Sequence, residues 1–322
     1  MFEANKSNFN DLCIDVFKFQ YQNNAVYKQY CDALKINDAS INHITQIPFL
    51  PISFFKTHTI KTTIFNEEIV FESSGTTNSV NSRHYVKDLS IYSQSFNSTF
   101  KQFYGLPHNW CIIGLLPSYL ERGNSSLVAM VDALIKQSNN PQSGFYLYDT
   151  QKLHQTILHN EIIQQPTLLI GVTYALLDFA QQYPMQLKYT TVIETGGMKG
   201  RREELTRQEV HQQLTNNLGV SNIHSEYGMT ELLSQAYAIK DGVFYCPPWM
   251  KILLREEDDP FTIVDEVTQP ISGLINIIDL ANLYSCSFIA TDDVGKLYSN
   301  NSFEVLGRKD NSDVRGCSLM VL

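Results

Sequence analysis

Six hydroxyl or amide side chains surround one glycine in Ser73-Ser74-Gly75-Thr76-Thr77-Asn78-Ser79, directly after the apolar run Ile69-Val70-Phe71. A strand ending in such a loop offers a ligand bare backbone N–H groups and several hydroxyl donors. That set suits phosphate oxygens, because a concave run of N–H dipoles holds an anion without a full positive charge. Ser, Thr, Gly and Asn are also the commonest turn material, so the loop means little unless other segments converge on it. Four more polar segments are placed to do so: Thr195-Gly196-Gly197, Tyr227-Gly228-Met229-Thr230-Glu231, Thr291-Asp292-Asp293-Val294-Gly295 and Gly307-Arg308-Lys309-Asp310. Their glycines let backbone approach a ligand closely. The tight Tyr-Gly-x-Thr-Glu spacing is the most specific of the five.

The elements that must position these segments alternate. Residues 7–34 have helical periodicity, with Asn8 and Asp11 as caps and Asn23-Asn24 as an interruption. Pro48 and Pro51 make the next stretch extended. Helical patterns at 89–103, from 123 on, at 153–163 and at 173–182 alternate with strand patterns at 110–116, 167–170 and 190–193. The 110–116 run is apolar throughout and bounded by Pro107 and Pro117, as in a parallel strand buried on both faces. Thr206 to Glu209 is a capping box, and Gly219 stops the helix it starts. Repeated strand–helix units predict an α/β fold with largely parallel sheets and flanking helices. After about Ala236 shorter β-like segments predict a smaller β subdomain. The expected divisions are a helical segment over 1–45, an α/β core over 46–236 and a β-rich part over 237–322. All five polar segments are expected as loops at strand ends, where ligands bind in such sheets.

Composition limits the partners. The net charge is −9 over 322 residues, which argues against broad binding to nucleic acid or an anionic membrane. No apolar run nears the roughly 18 residues of a membrane span, and the polar N-terminus lacks the features of a secretory signal. Six cysteines, none at CxxC spacing, suggest neither a zinc site nor a redox pair. A reduced, cytoplasmic protein is expected.

In this order the five segments resemble the signature motifs of the adenylate-forming superfamily: acyl-CoA ligases, luciferases and peptide-synthetase adenylation domains. Residues 48–56, 115–122 and the ending Arg315-Gly316-Cys317-Ser318-Leu319-Met320 narrow the resemblance to the acyl-protein synthetase (LuxE-type) family, over nearly the whole chain. The resemblance implies the superfamily's N-terminal-domain fold, with ATP and Mg²⁺ as cofactors and a carboxylic acid of the fatty class as substrate. It implies activation to an acyl-adenylate and acyl transfer to a cysteine, Cys317. By the same resemblance Ser73, Ser74, Gly75, Thr76 and Thr77 grip the β- and γ-phosphates. Gly196 and Gly197 flank the acyl pocket and adenine. Tyr227, with Gly228, stacks on adenine, and Thr230 contacts the α-phosphate. Glu231 binds magnesium, as a hard carboxylate suits an ion that bridges phosphate oxygens. Asp293 takes the ribose hydroxyls, and Arg308 contacts ribose or phosphate. A reductase, acyltransferase or carrier-protein partner is implied too.

The sequence departs from the motifs at Asp292 and Asn78, where glycines are usual, and Arg83 stands in for a following lysine. Extra negative charge at Asp292 is tolerable only if it points away from a polyphosphate. His84 and His224 read as structural. The sequence runs twelve residues past Asp310, so no lid lysine is expected at the superfamily's usual place. Two other readings stay open at this point: an acyltransferase using an acyl thioester donor, and a non-catalytic partner subunit that retains the fold.

Overall fold

The computed structural model describes residues 1–73, 80–117, 123–196, 205–257, 259, 261–265 and 267–309. The chain divides into two compact units. One comprises Met1–Tyr92, Glu231–Ser234 and the chain from Tyr245 on; the other comprises Ser93–Thr230 and Gln235–Phe244.

The second unit is the strand–helix alternation. Its strands run in the order Gly144–Phe145, Cys111–Leu115, Thr167–Gly171, Thr190–Glu194, His224–Tyr227 and Ala236–Ala238; all pairings are parallel except the last. Cys111–Leu115 and Thr167–Gly171 are buried at every position, which is why they read as apolar runs with no period of two. Helices Thr150–Ile162, Thr173–Gln182 and Arg207–Leu218 pack Leu153, Ile157, Leu176, Phe179, Val210 and Leu214 into one core with Ile113, Leu169 and Val192. The Thr206–Glu209 capping box forms, and Gly219 closes the helix in the left-handed region at φ 65°.

In the first unit, antiparallel strands Met250–Arg255, Ile271–Asp279, Phe288–Leu297 and Phe303–Arg308 pair in sequence order. Leu50–Pro51 adds alongside Phe288–Leu297 in parallel. Helices Phe9–Asn23 and Ala25–Ala33 are locked to this sheet. Gln20 donates to the carbonyls of Asn282 and Leu283, Asn24 donates to that of Ser285, and Tyr27 stacks on Phe288. Asn24 also caps the second helix by accepting from Tyr27 N–H.

The expected cap at Asn8 does not form. Its backbone is already helical (φ −116°, ψ −1°), and its Oδ1 accepts instead from Asn5 N–H, whereas a capping side chain needs an extended residue to reach the first turn. A larger correction concerns Thr291 to Gly295 and Gly307 to Arg308. These are not loops but lie inside the strands Phe288–Leu297 and Phe303–Arg308. The polarity comes from strand alternation: Asp292 is exposed and Asp293 buried. The register shifts between Val294 and Gly295, where a Cβ would lie 2.6 Å from Ile275 Cδ1.

Candidate functional site

Antiparallel strands Ile69–Glu72 and Arg83–Val86 form the stem of the Ser/Thr/Gly loop, with Glu72 opposite Arg83. At its base Ser73 N–H donates to Ser82 O (3.1 Å), and Ser82 N–H donates to Ser73 Oγ (2.9 Å). Ser74, Gly75, Thr76 and Thr77 lie outside the described residues, as do Gly197 and Cys317. The Ser82 hydroxyl is hydrogen-bonded to the carboxylate of Glu231, so the stem of the loop and the acidic residue of the Tyr-Gly-x-Thr-Glu motif meet.

Glu231 is buried, and that burial raises its pKa; the Ser82 hydrogen bond and the charges of Arg308 and Lys56 pull it back. Its backbone is held rigidly. Asn282 Nδ2 donates to Glu231 O (2.7 Å), while Asn282 Oδ1 accepts from Leu233 N–H. Asp279 accepts from Leu233 N–H, Ser234 N–H and the Ser234 hydroxyl. Asp279 itself is wholly buried, and burial lifts it to about 6 despite these donors. Asp293 and Arg308 are register partners on adjacent strands, and Arg308 Nε donates to Asp293 Oδ1 at 3.1 Å. The carboxylate is buried and the guanidinium mostly exposed. Ser73, Ser82, Lys56, Glu231, Asp293 and Arg308 thus belong to one unit, and Glu231 links the loop stem to the cationic side.

These side chains suit a magnesium–nucleotide complex. Magnesium keeps several waters and asks the protein for only one or two carboxylates besides substrate phosphates. Glu231 is one hard carboxylate, with cations flanking it that suit phosphate. Among the described residues no cluster of three or more His, Cys, Asp or Glu could hold a metal unaided.

A separate polar network lies in the other unit, at the carboxyl ends of its parallel strands. Gly196 turns at φ 74°, and its N–H donates to Glu194 Oε2 (2.8 Å). Thr173 Oγ1 donates to the same oxygen, and Arg207 and His211 each lie 3.7 Å from Oε1. Burial alone would raise Glu194. The His211 hydrogen bond, the Arg207 charge, and the Gly196 and Ser225 donors outweigh it and hold the group at about 2. Glu226 is the opposite case. Part of its side chain reaches the surface, yet burial, with the Glu194 charge adding, raises it to about 8. A Cβ at Gly228 would overlap Glu226 Oε1, so a side chain there would displace the carboxylate. Tyr227 is buried with its ring 5.9 Å from Phe244, and Thr230 lies in the following turn. His224 is pushed down to about 4 by burial and stacks on Tyr104, whose hydroxyl is 3.2 Å from Nδ1. Buried His84 sits edge-on to Phe55. Both histidines make the packing contacts of structural residues.

Sequence reasoning passed over Glu194, Glu226, Asp279 and Asn282. Asp279 had a signal: a lone acid after Ile277-Ile278 in an apolar strand. The Glu226 pKa has a measurable consequence. The folded state holds the Glu226 proton more tightly than the unfolded chain, so its contribution is full below about 4.5 and is lost as pH rises through about 8. Glu226→Gln should therefore leave the urea midpoint at pH 5 nearly unchanged and stabilise at pH 9 by on the order of 3 kcal/mol. An equal effect at both pH values would contradict the assignment.

With this geometry in place, comparisons set the class and then the family. The fold is that of adenylate-forming enzymes. The structure resembles the luciferase-like enzyme of the nonluminescent Zophobas morio mealworm with TM-score 0.53, at 14% identity over 78% of this chain and 60% of that one. It resembles an acyl acid amido synthetase in complex with 2,4-DB with TM-score 0.56, at 12% identity over 94% and 68%. The chain thus spans about 60% of the luciferase-like enzyme's own length. The sequence itself goes further: the profile of the acyl-protein synthetase, LuxE family matches residues 2–322, and the chain belongs to that family. Similar relatives are the long-chain-fatty-acid–luciferin-component ligases of Aliivibrio fischeri (23% identity; 99% of this chain, 89% of the relative) and Vibrio harveyi (23%; 94% and 84%).

Proposed function

We propose that the protein activates a long-chain fatty acid with ATP and passes the acyl group to Cys317, as an acyl-protein synthetase. The observation that carries this reading is the convergence of the Ser73–Ser82 loop stem on Glu231, with Arg308 and Lys56 acting on the same carboxylate. The family membership and the names of the relatives supply the substrate class.

In the first half-reaction a carboxylate oxygen of the acid attacks the α-phosphorus of ATP. The bond to the β-phosphate bridging oxygen breaks, and pyrophosphate leaves. Ser73 and the loop after it supply hydroxyl and N–H donors to the β- and γ-phosphates, where charge develops as pyrophosphate leaves. Glu231 is the carboxylate that would hold Mg²⁺, and the ion would supply neutralisation of phosphate charge. Arg308 offers a mostly exposed cation to phosphate or ribose, and Asp293 accepts from ribose hydroxyls. In the second half-reaction the Cys317 thiolate attacks the acyl carbonyl, the bond to the phosphate oxygen breaks, and AMP leaves.

Acid-dependent ATP–pyrophosphate exchange tests the first step. A long-chain acid should support exchange; its absence over a broad panel of acids, with reductase partners supplied, removes the ligase reading. Acyl-CoA labelling without nucleotide would instead mark an acyltransferase. The loop has its own test: Thr76→Ala should lower ATP-dependent acylation by about tenfold or more while sparing acylation from preformed acyl-AMP. Equal losses in both assays would free the loop from phosphate.

A further inference from the structure

The strand that carries Asp293 presents Ala290 and Asp292 to its other face. There they line a cavity of about 580 Å³, within the 300–1,000 Å³ range usual for small-molecule sites. Its walls are mainly apolar, with Leu34, Ile36, Ile41, Ile47, Phe261 and Ile263 prominent. Among the described residues Arg255 and Asp292 are the only charged ones lining it. This is also where the unusual Asp292 goes: it lies on the opposite face of the strand from Asp293.

Arg255 is the telling group. It is only 9% exposed, and a guanidinium has five N–H donors. Nη1 donates to Ile275 O and Asn276 Oδ1, and Nη2 donates to Thr291 O. The Nε–H and the second Nη2–H have no acceptor among the described residues. No Arg255 nitrogen is among the buried polar atoms left without a partner, so these donors are open to water or a ligand, and a carboxylate can take two parallel N–H bonds from one guanidinium. We propose that this cavity is a ligand site for an amphipathic monocarboxylate, its head group on Arg255 and its apolar chain along the Leu34–Ile47 wall.

Asp292 is the charge an anionic ligand must tolerate. It is exposed, so water screens it, whereas Arg255 acts from a low-dielectric wall. A monocarboxylate therefore gains from Arg255 and loses a little to Asp292. A zwitterion would use both, and a mere structural role would pair Asp292 with Arg255 and leave no ligand. The site stands apart from the proposed adenylation chemistry and does not depend on it.

The probe is decanoate bearing a terminal diazirine, photolysed on the full chain without ATP, with the labelled peptides mapped by mass spectrometry. Label is expected in residues 34–49 and 261–263. Leu34→Trp, which fills the cavity and leaves the Arg255 side chain itself unaltered, should reduce it by about tenfold or more. Arg255→Met should do the same, but because Arg255 joins three strands the Leu34 variant is the primary control. Asp292→Asn should increase labelling severalfold, and the matching diazirine alcohol should label about tenfold less. Four outcomes overturn the proposal: label elsewhere only, label indifferent to Leu34→Trp, equal labelling by the alcohol, or a decrease with Asp292→Asn. Label at a catalytic acyl site that survives Leu34→Trp would count for the ligase reading and against this one.

Discussion

Replacing Glu231 with glutamine is expected to lower acid-dependent ATP–pyrophosphate exchange by about 10²–10³-fold, the range for losing one well-placed electrostatic group. The substitution is close to isosteric. The amide oxygen still accepts from Ser82, and the backbone clamp by Asn282 and Asp279 does not involve the side chain. Stability should therefore change little; it could rise slightly, because burial already disfavours the carboxylate. The diagnostic readout is magnesium dependence: part of the lost rate should return at high Mg²⁺ if Glu231 holds the ion. Exchange within a few-fold of the unmodified protein, at any Mg²⁺, would remove Glu231 from the site. A large loss accompanied by a matching fall in the urea midpoint would assign it to structure instead.

The α/β unit was legible because its physics is local. A parallel strand buried on both faces must be continuously apolar, and Cys111–Leu115 and Thr167–Gly171 are. Thr206 and Gly219 start and stop helical hydrogen bonding within a few residues, so they too show in the sequence. The Thr291–Gly295 stretch misled for the converse reason. Asp-Asp-x-Gly reads as a turn, and only the pairing partners on either side, Ile271–Asp279 and Phe303–Arg308, make it a strand. Its two aspartates then separate by pleat rather than by loop geometry: Asp293 goes to Arg308 and Asp292 to the opposite face.

The candidate site divides in the same way. Residues in short spaced motifs, such as Tyr227 to Glu231, can be picked out without a fold. Their partners cannot. Nothing near Ser82 in sequence points to Glu231, and Asp279 and Asn282 act on the backbone that follows Glu231 from a turn reached only through the sheet. Glu194 and Glu226 sit on neighbouring strands, and nothing in their sequence neighbourhood says that one is held at about 2 and the other near 8. That divergence needs His211 and Arg207 brought in from the helix Arg207–Leu218.

The second large effect is on the acyl acceptor. Cys317→Ser is expected to abolish hydroxylamine-sensitive acyl labelling of the protein while leaving ATP–pyrophosphate exchange within about twofold, since thiolate attack follows adenylate formation. Support for Cys317 comes from the chemistry of the other cysteines. Cys13 and Cys31 are buried, and burial raises each to about 12. Cys111, Cys246 and Cys286 are raised as well, in each case chiefly by burial. The nucleophile toward a mixed anhydride must be a thiolate, and none of these five supplies one at neutral pH. Loss of exchange together with labelling would show that Cys317 serves the fold or the first half-reaction. Undiminished labelling would move the acceptor elsewhere, and since Cys13, Cys31, Cys111 and Cys286 are buried and must leave their packed sites to ionise, labelling at any of these four should rise steeply with mild denaturant. Acylation at Cys317 should show no such rise.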